Sequence, residues 1–154
     1  MAQFEATVRS ASIPAAGLYN ITFVTGSNPA VFLNRIVSFV GSAGSAVVYE
    51  APTGLTGGTV VATYKLDQLD PQTVKGVMTQ GVTVGGVGTQ VGAISYYKGA
   101  AGGPATGTFQ ALSGSRRLKG GTTYLLQFTN SDVGAQVIDI YFRWYEGPDP
   151  TPQS

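Results

Sequence analysis

The sequence predicts an all-β chain, an antiparallel β-sandwich or barrel of eight or nine strands. Three observations carry this. Val137-Ile138-Asp139-Ile140-Tyr141-Phe142-Arg143-Trp144-Tyr145-Glu146 alternates strictly. Ile138, Ile140, Phe142 and Trp144 fall on one face and Asp139, Tyr141, Arg143 and Tyr145 on the other, the period of a half-buried antiparallel strand. β-Branched and aromatic residues are abundant, and apolar residues rarely recur at helical spacing, so negligible helix is expected. Turn-forming clusters recur at intervals of roughly 8–12 residues, the rhythm of a sandwich or barrel.

The elements follow in order. Residues 1–12 read as an extended arm or a first strand. Residues 19–25 alternate, with Tyr19, Ile21 and Phe23 on one side, and Gly26-Ser27-Asn28-Pro29 is a turn. Residues 31–40 form a long strand with Leu33, Arg35, Val37 and Phe39 on a shared face. Gly41-Ser42-Ala43-Gly44 breaks it and 46–50 resumes. Residues 59–66 read as one strand with Val60, Ala62, Tyr64 and Leu66 on one face. Residues 69–79 are a helical turn or a wandering loop. Residues 82–84 and 91–98 are strands across a Gly-rich connector, 99–107 is a small-residue loop, and 108–112 is a short strand. Residues 122–130 and 137–146 close the domain. They are near neighbours in sequence, both alternate, and a hairpin is expected between them. Gly147-Pro148-Asp149-Pro150-Thr151-Pro152 cannot continue a strand, so the domain is taken as 13–146, followed by a Pro-rich tail, 147–154.

Composition narrows the function classes. One domain is the expectation for 154 residues. Charged residues are 11% of the chain, under half the usual share of about 25%. A surface that weakly charged favours association with copies of itself or a partner. The net charge of +1 gives no general electrostatic case for nucleic acid or membrane. Arg116-Arg117 with Lys119 is the one basic cluster, and beside a turn it reads as a solvated loop. The apolar runs are too short to span a bilayer, and the first residues hold no apolar leader, so no secretory signal is expected.

The chain has no His and no Cys. That removes Ser-His-Asp and Cys-His nucleophiles, thiolate and imidazole metal ligands and disulfides. Eight carboxylates remain. The close pair Asp67 and Asp70, in Asp67-Gln68-Leu69-Asp70-Pro71, could serve glycoside hydrolysis only at a defined separation, and Asp before Pro is a common turn former. Gly85-Gly86-Val87-Gly88 and the Gly-rich run 99–103 lack the Lys-Ser/Thr ending of a phosphate loop. Tyr96-Tyr97 and Tyr141 with Tyr145 could stack on sugars, although strand tyrosines more often serve interfaces or packing. No enzyme activity and no cofactor or metal are expected.

Tyr49-Glu50-Ala51-Pro52-Thr53, then Gly57-Gly58-Thr59 and Thr63-Tyr64-Lys65-Leu66-Asp67, resemble in order a pattern of tailed-bacteriophage virion proteins. Leu118-Lys119-Gly120-Gly121-Thr122-Thr123-Tyr124-Leu125-Leu126 and the terminal Trp144-Tyr145-Glu146 continue it. The chain resembles a small jelly-roll capsid decoration, or cement, protein over roughly 31–146. It departs from the pattern after Leu66, where an Asn/Arg-rich turn would be typical. The resemblance implies a jelly-roll sandwich on the capsid exterior, made in the host cytoplasm. It would bind the major capsid protein and itself, as a trimer before a dimer, and stabilise the shell without chemistry. Phe4 and Arg9 are the candidate capsid contacts, with Phe4 packing on its own domain as the alternative. Tyr141, Arg143 and Tyr145 are the candidate self-association residues, and Trp144 is the core anchor. The runner-up reading is a carbohydrate- or receptor-binding sandwich of a phage tail or fibre.

Overall fold

The computed structural model describes residues 2–40, 43–98 and 110–148. No helix occurs among them. The strands are β1 (Ala2–Arg9), β2 (Leu18–Val24), β3 (Ala30–Val40), β4 (Ala43–Glu50), β5 (Thr59–Val60), β6 (Tyr64–Lys65), β7 (Val77–Gln80), β8 (Thr89–Gln90), β9 (Ser95–Lys98), β10 (Gln110–Leu118), β11 (Thr123–Asn130) and β12 (Val137–Glu146). All pairings are antiparallel. The first sheet runs β10-β3-β12-β1-β6. The second runs β5-β7-β2-β11-β4-β8, with β9 also on β4.

Eight strands make the frame. In the orders β10-β3-β12-β1 and β9-β4-β11-β2, the chain passes to the opposite sheet at every step from β1 to β4 and again from β10 to β12. This is the jelly roll, two antiparallel sheets face to face. The expected hairpin between 122–130 and 137–146 does not form. β11 pairs with β2 and β4, and β12 with β1 and β3. The physical reason is that each strand has an apolar face to bury. Placed in opposite sheets, those faces meet across the core. The turn between them is held by Asn130, whose side-chain amide donates to the carbonyls of Ile13, Pro14 and Gly134 at 2.9, 3.0 and 2.9 Å. Gln136 donates to Asn130 Oδ1 and to the Ala43 carbonyl.

Of the two readings of 1–12, the structure shows the strand. Ala2, Phe4, Ala6 and Val8 alternate inward and are buried. They lie against Glu146, Trp144, Phe142 and Ile140 of β12. Trp144 is 0% exposed. Its ring stacks on Phe32 at 5.3 Å, meets Phe23 of the second sheet edge-on at 5.4 Å and lies 6.1 Å from Phe4. These rings join both sheets, and such pairs add to simple area burial.

Phe32 reaches this cluster because β3 carries a bulge. Arg143 lies opposite Asn34, but Trp144 lies opposite Phe32, so Leu33 is the extra residue. The registers then place Arg35, Val37 and Phe39 opposite Phe142, Ile140 and Ile138. Leu33, expected on that face, is only half-buried. The orientations expected of the Arg35, Val37 and Phe39 side chains lie outside the described residues. So do part of the Gly41–Gly44 break, the whole 99–107 loop, the start of the 108–112 strand and the tail beyond Pro148.

The 51–94 excursion departs most from expectation. Residues 59–66 are not one strand. β5 joins the second sheet beside β7, and β6 joins the first beside β1. The chain crosses between sheets at 61–63, so the face inverts: Val61 is buried while Val60 and Tyr64 are exposed. Residues 69–79 hold no helix. Asp67 and Asp70 cap turns, accepting from the Leu69 and Gln72 backbone N–H at 3.0 and 2.7 Å. Thr53 and Thr56 bridge to Gly86 and Thr83. This ribbon returns over the outer face of the second sheet. Thr22, Val47 and Leu125 register on that face yet are buried, and so is Val82, whose carbonyl takes the Asn20 amide at 3.0 Å. Gly88, at φ +84°, sits where a Cβ would meet the Glu50 carbonyl at 2.2 Å, so the return needs a glycine there.

Glu146 ties the loop before β7 to the end of β12. The residue is 3% exposed. It accepts from Lys75 N–H at 2.7 Å, Gly76 N–H at 2.9 Å and Trp144 Nε1 at 2.9 Å. Two outcomes are expected in urea denaturation. Trp144→Ala should lose on the order of 3–5 kcal/mol, as large-to-small changes in a closed core do. Glu146→Ala should lose about 2 kcal/mol or more, because two buried donors, Gly76 N–H and Trp144 Nε1, lose an acceptor at about 1–3 kcal/mol each. A loss below about 1 kcal/mol for either would show that the residue does not hold the core as described.

Candidate functional site

With one sheet covered by the excursion, the outer face of the first sheet is the uncovered sheet face among the described residues. Its residues are the polar half of the alternations that build the core. Gln3, Glu5, Thr7 and Arg9 of β1 lie opposite Tyr145, Arg143, Tyr141 and Asp139 of β12. Tyr64 of β6 lies opposite Glu5 on the other side. The expected association residues Tyr141, Arg143 and Tyr145 therefore share one face, and all three are half-buried. Arg143 Nε is buried without a hydrogen-bond partner.

The two expected capsid contacts separate. Phe4 is 1% exposed and belongs to the core. It cannot fill a groove on another molecule without leaving its own domain, so that expectation is corrected. Arg9 is well exposed, at the edge of the face, where it pairs with Asp139 at 3.6 Å. Trp144 lies under the face, at the centre of the core. Of Tyr96-Tyr97, Tyr96 is 72% exposed and Tyr97 is buried against Phe128. In the basic cluster, Lys119 pairs with Glu50 at 2.7 Å and Arg116 donates to the Val91 carbonyl at 2.9 Å.

A groove of about 280 Å³ opens at the β1 edge of the face, where the chain crosses from β5 to β6. Glu5, Thr7, Val60, Tyr64, Gln80 and Tyr141 line it. The Tyr141 hydroxyl donates to Glu5 Oε2 at 2.5 Å. The Tyr19 hydroxyl donates to Gln80 Oε1 at 2.8 Å. Glu5 and Gln80 were not singled out from the sequence, and Tyr64 was read only as part of a strand and of a motif. The alternation of 2–9 was a readable signal for Glu5, but Tyr64 and Gln80 reach the groove only through the crossing at 61–63. No group of three or more potential metal ligands occurs among the described residues.

Burial raises the Tyr141 pKa above its ordinary 10.0; the hydrogen bond to Glu5 raises it further, and Arg143 opposes. The folded protein thus favours the neutral phenol. The resulting stabilisation is present below the unfolded value and is lost as pH rises through the folded one.

No protein-family model matches the chain. No curated protein matches it either. Among solved structures, the infectious bursal disease virus VP2 subviral particle is similar at 16% identity over 95% of this chain and 39% of that one, with a TM-score of 0.17. The structure of the Gx strain of that virus is similar at 17% identity over 95% and 40%, with a TM-score of 0.14. The chain spans about two fifths of the length of these proteins. At such scores the likeness carries no argument about role.

In carbon-13 tyrosine NMR, Tyr141 is expected to titrate above a free tyrosine, and Glu5→Gln should lower its pKa by removing the facing charge. An unchanged Tyr141 titration in Glu5→Gln would refute the coupling. Tyr141→Phe should flatten the fall in stability at alkaline pH, read from denaturation midpoints.

Proposed function

We propose that this protein is a structural component of a virion, binding the exterior of a capsid and stabilising the shell by buried area without chemistry. The observation that carries the reading is the Tyr141–Arg143–Tyr145 stripe on the outer face of the first sheet. Interfaces are enriched in tyrosine and arginine. The ordered motifs at 49–67, 118–126 and 144–146, which resemble those of capsid decoration proteins, support the same reading. So does the low charge of the chain.

The contact surface is this face, with Arg9 at its edge, rather than an N-terminal arm. Residues 2–9 are a core strand, and their removal would unfold the domain rather than test binding. Self-association, a trimer before a dimer, would multiply weak contacts through effective concentration.

The test uses undecorated shells of the virus that encodes the chain. The wild-type protein should bind them and raise their temperature of heat disassembly. A ligand of the assembled shell alone, at about 100 times its Kd, adds about 2.7 kcal/mol per site. Arg143→Glu with Tyr145→Ala, both half-buried positions outside the core, should bind at least about tenfold more weakly, a loss of about 1.4 kcal/mol. A wild-type protein without affinity for shells would overturn the reading. Full binding by the double variant would move the contact to another surface.

A further inference from the structure

We infer that the groove between β1 and the 60–64 crossing is a binding site for one neutral sugar unit, such as the end residue of a surface glycan. The inference stands apart from shell binding. Its size comes first: about 280 Å³ lies just under the range of about 300–1,000 Å³ of sites for drug-sized ligands, so one ring suits it and an oligomer does not.

The chemistry of the wall selects the class. A sugar hydroxyl both donates and accepts, so its site needs both kinds of partner close together. Glu5 Oε2 is taken by the Tyr141 hydroxyl, which leaves Oε1 as an acceptor. Gln80 Oε1 is taken by the Tyr19 hydroxyl, which leaves the NH2 group as a donor. Both side chains are thereby fixed before a ligand arrives, and little ordering entropy is lost on binding. Tyr64, 63% exposed, offers an aromatic face to the apolar face of a ring, beside Val60.

Charge excludes the neighbouring classes. Among the described residues no Lys or Arg lines the groove and a carboxylate does, so phosphate and acidic sugars are disfavoured. Arg143 registers opposite Glu5 on β12, which places a cation on the same face, so an ammonium ligand is not favoured either.

The test is amide NMR of the nitrogen-15 protein, titrated with the methyl glycosides of glucose, galactose, mannose, rhamnose and N-acetylglucosamine. Methyl phosphate and tetramethylammonium serve as charged probes. At least one glycoside should shift the amides of Glu5, Thr7, Val60, Tyr64 and Gln80 together, with millimolar Kd. Tyr64→Ala should weaken it at least about tenfold, or 1.4 kcal/mol, with the denaturation midpoint unchanged, since the side chain is exposed. The proposal is overturned if none of the five glycosides shifts these amides, if a charged probe shifts them and the glycosides do not, or if Tyr64→Ala binds as tightly. Shells play no part in the measurement, so failure here and failure to bind a capsid are separate results.

Discussion

The Glu146 carboxylate is the constraint on which the rest of this fold depends. It is almost fully removed from water, and its partners are N–H groups rather than a cation. A charge in that position is tolerated only if its hydrogen bonds are all in place. Those bonds fix three things at once. They orient the Trp144 indole, around which the Phe4, Phe23 and Phe32 rings gather. They hold the chain at 75–76 against the end of β12, and so set where β7 begins. They force residue 76 to be glycine, because a Cβ there would meet the Phe23 ring at 2.3 Å and Glu146 Oε1 at 2.7 Å. Gln72 extends the tie, donating to the Glu146 carbonyl at 3.1 Å and accepting from Ala2 N–H at 3.2 Å. The first residues of β1 and the last of β12 are thus locked at one end of the sandwich. Asn130 and Gln136 do the same work at the other end with neutral amides.

Anchoring 66–76 has a consequence for the surface. The excursion from β4 to β9 must pass this anchor, and it does so by touching both sheets. β6 pairs with the edge strand β1, and β7 pairs with the edge strand β2. Two edges that would otherwise present unpaired backbone are shortened. The return ribbon then buries Leu125 and Val47 on the back of the second sheet. The jelly roll is left asymmetric, with one outer face dressed by its own chain and the other carrying Tyr141, Arg143 and Tyr145. A strand order alone would not distinguish the two faces; the excursion does.

Much of this was legible where one physical rule acted alone. β12 follows simple alternation, and its bounds and buried face could be read from ten residues. Phe32 was not legible, because the bulge at Leu33 shifts the alternation by one and a bulge has no signature in composition. Val60 and Tyr64 were assigned a common face because 59–66 alternates as one strand would. The crossing between sheets reverses that parity, and only the tertiary path reveals it. The hairpin expectation failed for a related reason: closeness in sequence favours pairing, but burying two apolar faces against each other favours opposite sheets. Glu146 was seen only as the end of a motif, since nothing in a sequence marks which carboxylate will be buried. The face of Tyr141, Arg143 and Tyr145 was legible as a face; the groove beside it was not, because three of its walls come from segments far apart in the chain.

The proposed shell contact and the proposed sugar site are not independent surfaces. Tyr141 belongs to the stripe and lines the groove, and Glu5 accepts its hydroxyl while facing Arg143 across the strand pair. A surface apposed to the stripe would meet the Tyr141 ring and so bear on the hydroxyl that Glu5 accepts. A sugar hydroxyl donating to Glu5 would compete with that same hydroxyl. Binding at two sites that share a hydrogen-bonded pair is coupled, and the coupling is reciprocal by linkage. Its size is bounded by what the shared pair can contribute, about 0.5–1.5 kcal/mol for one neutral hydrogen bond and about twice that with a charged acceptor. That is enough to bias which face is occupied, and too little to make the two exclusive.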